Sequence, residues 1–293
     1  MPIRLDTRHY VTHHSTPQPV HHPRVTCDED ELAAFLRTRS RSLGIRSGDP
    51  EQLVAQWQHQ PKQASFLTIT QTLLAELALP CGESLELVLF CHWSTDCEFG
   101  HSISNYIVDQ CKAQSAFAFA ISDSGPVAPF VAYALIRQWS LTTGRALVVT
   151  VDQSSHLHHS VLLSDHLTDN VGAAMVWSCA EGNGLFSGYY SVASNAGFSH
   201  GEWVATLQAV CPFDLSKARI VTDTSSQAYW PAGHLATVFD DGAPSAWPFH
   251  LAKPWLAELS DTSVSLSGLV LCRTYRDTTH LLWFYSENSH ENN

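Results

Sequence analysis

The chain has 293 residues, of which 44% are hydrophobic, and 16 Lys and Arg against 28 Asp and Glu give a formal net charge of −12. That is enough apolar material for one large domain or two halves. No apolar run approaches the roughly 20 residues of a membrane span, and without a basic stripe nucleic-acid binding is not expected.

Residues 1–27 read as a polar, proline-bearing arm. Met1 to Arg24 has histidines and prolines but no apolar h-region, so no secretory signal is expected and the chain reads as cytoplasmic. Asp28 to Arg39 predicts a helix, acidic in its first turn and basic in its last, as the macrodipole favours. Residues 47–62 form a Gln-rich polar connection. Ala64 to Leu79 predicts an amphipathic helix with Phe66, Ile69, Leu73, Leu74 and Leu77 on one face, stopped by Pro80-Cys81-Gly82.

Short apolar runs then alternate with helices. Leu85–Cys91 and Ala116–Ser122 read as strands, with a helix over Ile103–Cys111 between them. Pro129–Thr143 reads as a helix. Arg145–Asp152 is a near-continuous β-rich run, the pattern of a strand covered on both faces. Asn170–Cys179 is a further strand. The second half repeats the theme, with helices at Gly201–Cys211 and Pro248–Leu259 and strands at Arg219–Asp223, Gly268–Thr274 and Thr279–Tyr285. The alternation argues for a layered α/β fold.

Eight cysteines, at 27, 81, 91, 97, 111, 179, 211 and 272, show no disulfide spacing and read mostly as small buried hydrophobes.

The order of these elements resembles the ketoacyl synthase III branch of the thiolase superfamily. Leu43-Gly44-Ile45-Arg46 sits where that family carries Thr-Gly-Ile-x-x-Arg. Phe119-Ala120-Ile121 resembles the Phe-Asp-Ile strand that leads to the nucleophile. Thr168-Asp169-Asn170-Val171-Gly172-Ala173-Ala174 resembles Gly-Asp-Gly-Ala-Gly-Ala, and Gly242-Ala243-Pro244-Ser245-Ala246 resembles Gly-Asn-Thr-Ser-Ser. The resemblance covers residues from about 28 to 286 and implies a thiolase-like αβαβα fold, with similar halves over 28–165 and 166–293 and a dimer across a sheet edge.

The departures concern chemistry. The family's Cys nucleophile makes the acyl-enzyme bond, and its His and Asn stabilise the thioester oxyanion and the enolate formed on decarboxylation. Carried onto this sequence, the three positions are Gly125, Asp223 and Ala243, none of which can do that work. The stretch through Ser122-Asp123-Ser124 resembles the non-catalytic subunit of alkylquinolone synthase-type heterodimers.

Three other readings compete. Ser124, or Ser122, could serve as a replacement nucleophile if a histidine stood within hydrogen-bond reach; His92, His101, His156, His158, His159, His200, His234 and His250 are the candidates. The plainer reading makes both serines small residues of a tight turn. A metal could in principle use Cys91, His92, Cys97, Glu98 and His101, or His156, His158, His159, Asp165 and His166, but neither cluster has a tight zinc spacing, so no metal is expected. Trp93 and Trp230 follow strands and could narrow or plug an acyl tunnel.

The expectation is thus a degenerate subunit that pairs with a Cys-bearing ketoacyl synthase III-like partner in secondary-metabolite biosynthesis, of the polyketide or alkylquinolone kind. No cofactor is implied; an acyl-CoA or acyl-ACP thioester would be the substrate of the complex, and acyl carrier protein would dock through the partner. The alternatives are a self-sufficient serine acyltransferase and a non-enzymatic acyl-binding or scaffold protein.

Overall fold

The computed structural model describes residues 3–15, 28–43, 49–58, 64–79, 85–96, 101–139, 141, 144–154, 169–179, 184–193, 200–230, 236–261 and 266–286. In chain order they form β1 (Ile3–Ser15), α1 (Glu29–Leu43), α2 (Pro50–Gln58), α3 (Phe66–Leu77), β2 (Leu85–Cys91), α4 (Ile103–Gln110), β3 (Phe117–Ile121), α5 (Ala128–Trp139), β4 (Arg145–Asp152) and β5 (Asn170–Ser178). There follow β6 (Leu185–Ala193), α6 (His200–Val210), β7 (Ala218–Asp223), α7 (Thr224–Gln227), β8 (Ala236–Phe239), α8 (Trp247–Ser260), β9 (Gly268–Tyr275) and β10 (Thr278–Tyr285).

The strands join in the order β3-β2-β4-β5-β1-β6-β10-β9-β7-β8. Counted from its own first strand, each half has the order 3-2-4-5-1, and the second is laid down in reverse from the β1–β6 junction. The strand senses repeat too. β2 is parallel to β3 and β4, while β5 is antiparallel to its neighbours. β7 is likewise parallel to β8 and β9, while β10 is antiparallel. A topology duplicated in order and sense is a pseudo-two-fold arrangement.

Side-chain alternation divides these strands between cores. On β4, Ala146 and Val148 join a central core, while Leu147, Val149 and Val151 join an outer one under α3 and α4. On β9, Leu269 and Leu271 face the central core, while Val270 and Cys272 face a second outer core under α6. The central core holds α5 and α8, through Phe130, Tyr133, Phe249 and Leu256 among others. The layers therefore run helix, sheet, helix, sheet, helix, as the αβαβα expectation required.

Three expectations are corrected. The segment expected as an arm contains β1, which lies in the middle of the sheet between β5 and β6. Its polar residues find partners instead of water. Asp6 is buried beside Arg8, His9 and Arg145. Burial raises its pKa, but the hydrogen bonds from Arg8 and His9 outweigh that and hold it at about 2. The connection expected over 47–62 contains α2, whose Val54 and Trp57 pack on Leu32, Ala33 and Leu36 of α1. The topological repeat begins at β6, so β5, which a division at 165/166 gives to the second half, belongs with the first.

No described helix is long and apolar enough to cross a membrane.

Burial also sets a pH dependence. His280 Nδ1 on β10 shares a hydrogen bond with Tyr189 Oη, 2.8 Å away, and burial pushes the His280 pKa down to about 4. The unfolded chain takes up this proton near pH 6.5 and the folded chain only near 4, so stability falls as pH drops through that window. Urea unfolding should show a loss of roughly 2 kcal/mol from this residue between about pH 7.5 and about pH 5. In His280→Gln the loss should shrink by that amount; an unchanged pH profile would remove His280 as its source.

Candidate functional site

The site expected at the end of β3 is a sharp turn into α5. Ser122 and Asp123 are exposed and Ser124 is half-buried. Gly125 is buried with φ +59°, and it opens a single 3-10 turn, Gly125–Val127, that runs straight into α5. That conformation favours glycine. Space imposes a second requirement. A Cβ at Gly125 would stand 2.6 Å from Tyr275 Cζ and 2.8 Å from its Oη. The Tyr275 ring thus fills the place a nucleophilic side chain would need.

Asp223, at the end of β7, is fully buried and committed twice. Its Oδ1 accepts from Ser226 N at 2.9 Å, capping α7, and its Oδ2 accepts from Thr274 N at 2.7 Å. Burial raises its pKa and these hydrogen bonds only partly offset the rise. Ala243 lies in the tight turn before α8, where its N–H donates to Asp240 O at 2.9 Å. Its carbonyl accepts from the buried Arg273, which also donates to Pro244 O and Asp241 O, each at 3.0 Å. Burial lowers the Arg273 pKa to about 10, with Asp223, Asp152, Asp241 and Asp240 acting against the fall, so it stays charged near neutrality.

The three positions that the resemblance singles out therefore meet on one element. Arg273 holds the Ala243 carbonyl, the Thr274 N–H holds Asp223, and Tyr275 fills the space above Gly125. No motif pointed to this run of β9. The one available signal was the unusual Arg273 at the end of an apolar strand.

Below it lies Asp152, fully buried at the end of β4. Its Oδ1 accepts from Trp93 N at 2.7 Å and Ser94 N at 2.8 Å; its Oδ2 accepts from Ser245 N at 2.6 Å and from Ser245 Oγ. Every oxygen is engaged, so this carboxylate is not placed as a free base.

Among the described residues, neither Ser122 nor Ser124 makes a hydrogen bond to a histidine. His92 turns its Nδ1 to Ser94 O at 2.7 Å, and His250 stacks on Trp247. His101 is exposed. His156, His158, His159 and His234 lie outside the described residues, as do Asp165, His166, Cys97 and Glu98, and nothing of the His200 side chain is described. Burial pushes up the thiols of Cys111, to about 11, and of Cys211 and Cys272, to about 12. Cys91 rises further, through burial and then the nearby Asp152. Such thiols are poor nucleophiles. Cys179 donates to Leu141 O at 3.1 Å. Among the described residues no three ligand-type side chains converge as a metal site.

The tryptophans separate. Trp93 is half-buried and its backbone N–H binds Asp152. Trp230 is buried in the outer core with Trp203 and Cys272, on the α6 side of the sheet, so it does not stand with Tyr275 above Gly125.

The sequence matches no protein-family model and no curated protein. Solved structures of similar fold do exist. One is AbyA1, a tetronic acid condensing enzyme, at 14% identity and a TM-score of 0.60, covering 97% of this chain and all of that one. ChlB3, an acyltransferase, has 13% identity and a TM-score of 0.59, covering 97% and 98%. The 3-oxoacyl-(acyl carrier protein) synthase III of Xanthomonas oryzae has 10% identity and a TM-score of 0.57, covering 98% and 99%. The chain thus has the fold of ketoacyl synthase III-like condensing enzymes along nearly its whole length.

The packing at Gly125 makes a quantitative prediction. Gly125→Cys meets both a left-handed backbone and the Tyr275 ring, and should cost roughly 2–4 kcal/mol. Combined with Tyr275→Ala it should cost less than the sum of the two, by about 1 kcal/mol or more. Urea unfolding of the four proteins measures the difference. Strict additivity would mean that Tyr275 does not close this position.

Proposed function

We propose that this chain is a catalytically degenerate subunit of ketoacyl synthase III-like fold, paired with a Cys-bearing condensing enzyme that acts on acyl thioesters in secondary-metabolite biosynthesis. The observation that carries the reading is Gly125, left-handed and closed over by Tyr275, at the position that the sequence resemblance assigns to the nucleophile. The reaction class rests on the named activities of the structural neighbours, an acyltransferase and condensing enzymes. With Asp223 and Ala243 bound into backbone contacts, neither of these two positions offers a side chain for the oxyanion-stabilising roles.

The pairing surface in this reading is β3. It is one edge of the sheet, and its Phe-Ala-Phe-Ala-Ile sequence has no charge or proline to guard it. Phe117 is 52% exposed and stacks on Trp139, itself 45% exposed, with ring centroids 5.0 Å apart. An unguarded edge beside two large exposed aromatic rings suits strand-to-strand pairing with a partner or with a second copy.

The serine reading survives as a rival because Ser124 is partly accessible and its hydroxyl caps nothing. Two measurements separate the readings. Incubation with acyl-CoA should leave the intact mass of this chain unchanged, and Ser124→Ala should keep the activity of a reconstituted complex within a fewfold. A stable adduct on Ser124, or a loss on the order of 10³, would favour the acyltransferase.

Assembly is tested independently. The chain expressed alone should be poorly soluble or form a makeshift homodimer. Co-expression with a Cys-bearing partner should give a heteromer on size exclusion, and Phe117→Asp should abolish it without unfolding the chain. A well-behaved monomer at micromolar concentration, with fast-exchanging amides over 117–121, would count against this interface.

A further inference from the structure

A second site lies away from Gly125, where the two halves of the sheet join. Among the described residues β1 pairs with β6 only over Ile3–Leu5. Beside Ile3, Ser187 and Gly188 lies a cleft of about 410 Å³, within the usual range for small-molecule sites. Its walls come from α5, β6 and β10, with Ile3 of β1, Val210 of α6 and Pro212 completing them.

The chemistry of those walls is specific. Arg137, in the last turn of α5, reaches in and donates to Tyr189 O at 3.4 Å, a long bond that leaves most of its five N–H donors uncommitted. No described carboxylate forms an ion pair with it, although the chain carries 28 acidic residues against 16 basic ones. Ser187 Oγ donates to Ile3 O at 2.8 Å, so at the 2.9 Å contact between Ser187 and Tyr133 the phenol must be the donor. The Tyr133 oxygen therefore keeps its acceptor capacity. Gly188 lets Trp283 lie against the strand: a Cβ there would stand 2.3 Å from the indole and 2.6 Å from its Nε1. Trp283 and Tyr285 supply flat apolar surface to the same cleft.

A cation at the rim and aromatic walls describe a receptor for a flat organic anion. We propose that this cleft binds a small aromatic or conjugated carboxylic acid as its anion, with the carboxylate on Arg137 and the planar body against Trp283 and Tyr285. A guanidinium suits a carboxylate because two parallel N–H donors match its two oxygens. This site is independent of the proposal for Gly125, and either can fail without the other.

Benzoate is the probe, with benzamide as its uncharged match, titrated against the full chain by calorimetry or ligand-observed NMR. Benzoate should bind saturably, with a dissociation constant of about 1 mM or tighter, and benzamide at least tenfold more weakly. Arg137→Gln removes the charge at an exposed position, so the fold should hold and benzoate affinity should fall at least tenfold. Gly188→Ala should weaken binding by displacing Trp283. Should that variant fail to fold, the Arg137→Gln comparison decides alone. No saturable benzoate binding, equal binding of benzamide, or unchanged affinity in folded Arg137→Gln would each overturn the assignment.

Discussion

One buried carboxylate holds the centre of this molecule in register. Asp152 ends β4 in the first half of the sheet, yet half of its hydrogen bonds come from the second half. Trp93 and Ser94 donate from the turn after β2, and Ser245 donates twice from the turn before α8. A carboxylate with no exposed surface is strongly destabilising unless its lone pairs are met. Meeting them fixes three chain segments against one another. Ser94 extends the tie by accepting from Gln153 N at 3.0 Å, and Thr150 lies 3.0 Å from Ser245 Oγ. The turn bearing Ala243 is thus pinned from below by Asp152 and from above by Arg273.

That double restraint commits the backbone of the Ala243 turn to the protein itself. In a condensing enzyme, groups near the nucleophile must present unsatisfied donors to a developing oxyanion, which makes the free site less stable than it could be. Here the donors and acceptors around Asp223 and Ala243 are spent on one another. The Asp223 carboxylate caps α7 and receives the Thr274 N–H; the Arg273 guanidinium is divided among three carbonyls.

Much of the fold was legible because its strands are long apolar runs. Leu85–Cys91 and Arg145–Asp152 appear with the expected bounds, since a strand covered on both faces has no polar face to blur its ends. β1 escaped because its interior is rich in Asp, Arg, His and Thr, and composition alone cannot show that Asp6 has Arg8, His9 and Arg145 beside it. β6 escaped because Gly188, Ser187 and Ser191 dilute its aromatic residues. The absence of cysteine near Ile121 was legible. The packing beside Gly125 was not: Tyr275 is 150 positions from Gly125, and which strand face it occupies depends on the register of β9. The same ambiguity placed Trp230 near the tunnel, whereas its side of the sheet is the outer one.

The fold does not lean on the positions that the family resemblance singles out. The three large cores among the described residues are built from strand and helix faces, and of Gly125, Asp223 and Ala243 only Ala243, at the margin of the central one, belongs to them. Stability therefore does not depend on a cysteine, histidine or asparagine there. Glycine at position 125 avoids the strain that a side chain would carry at a left-handed residue, and the Tyr275 ring beside it adds buried contact area. Both favour the closed arrangement, and a side chain at Gly125 is accommodated only once Tyr275 has moved.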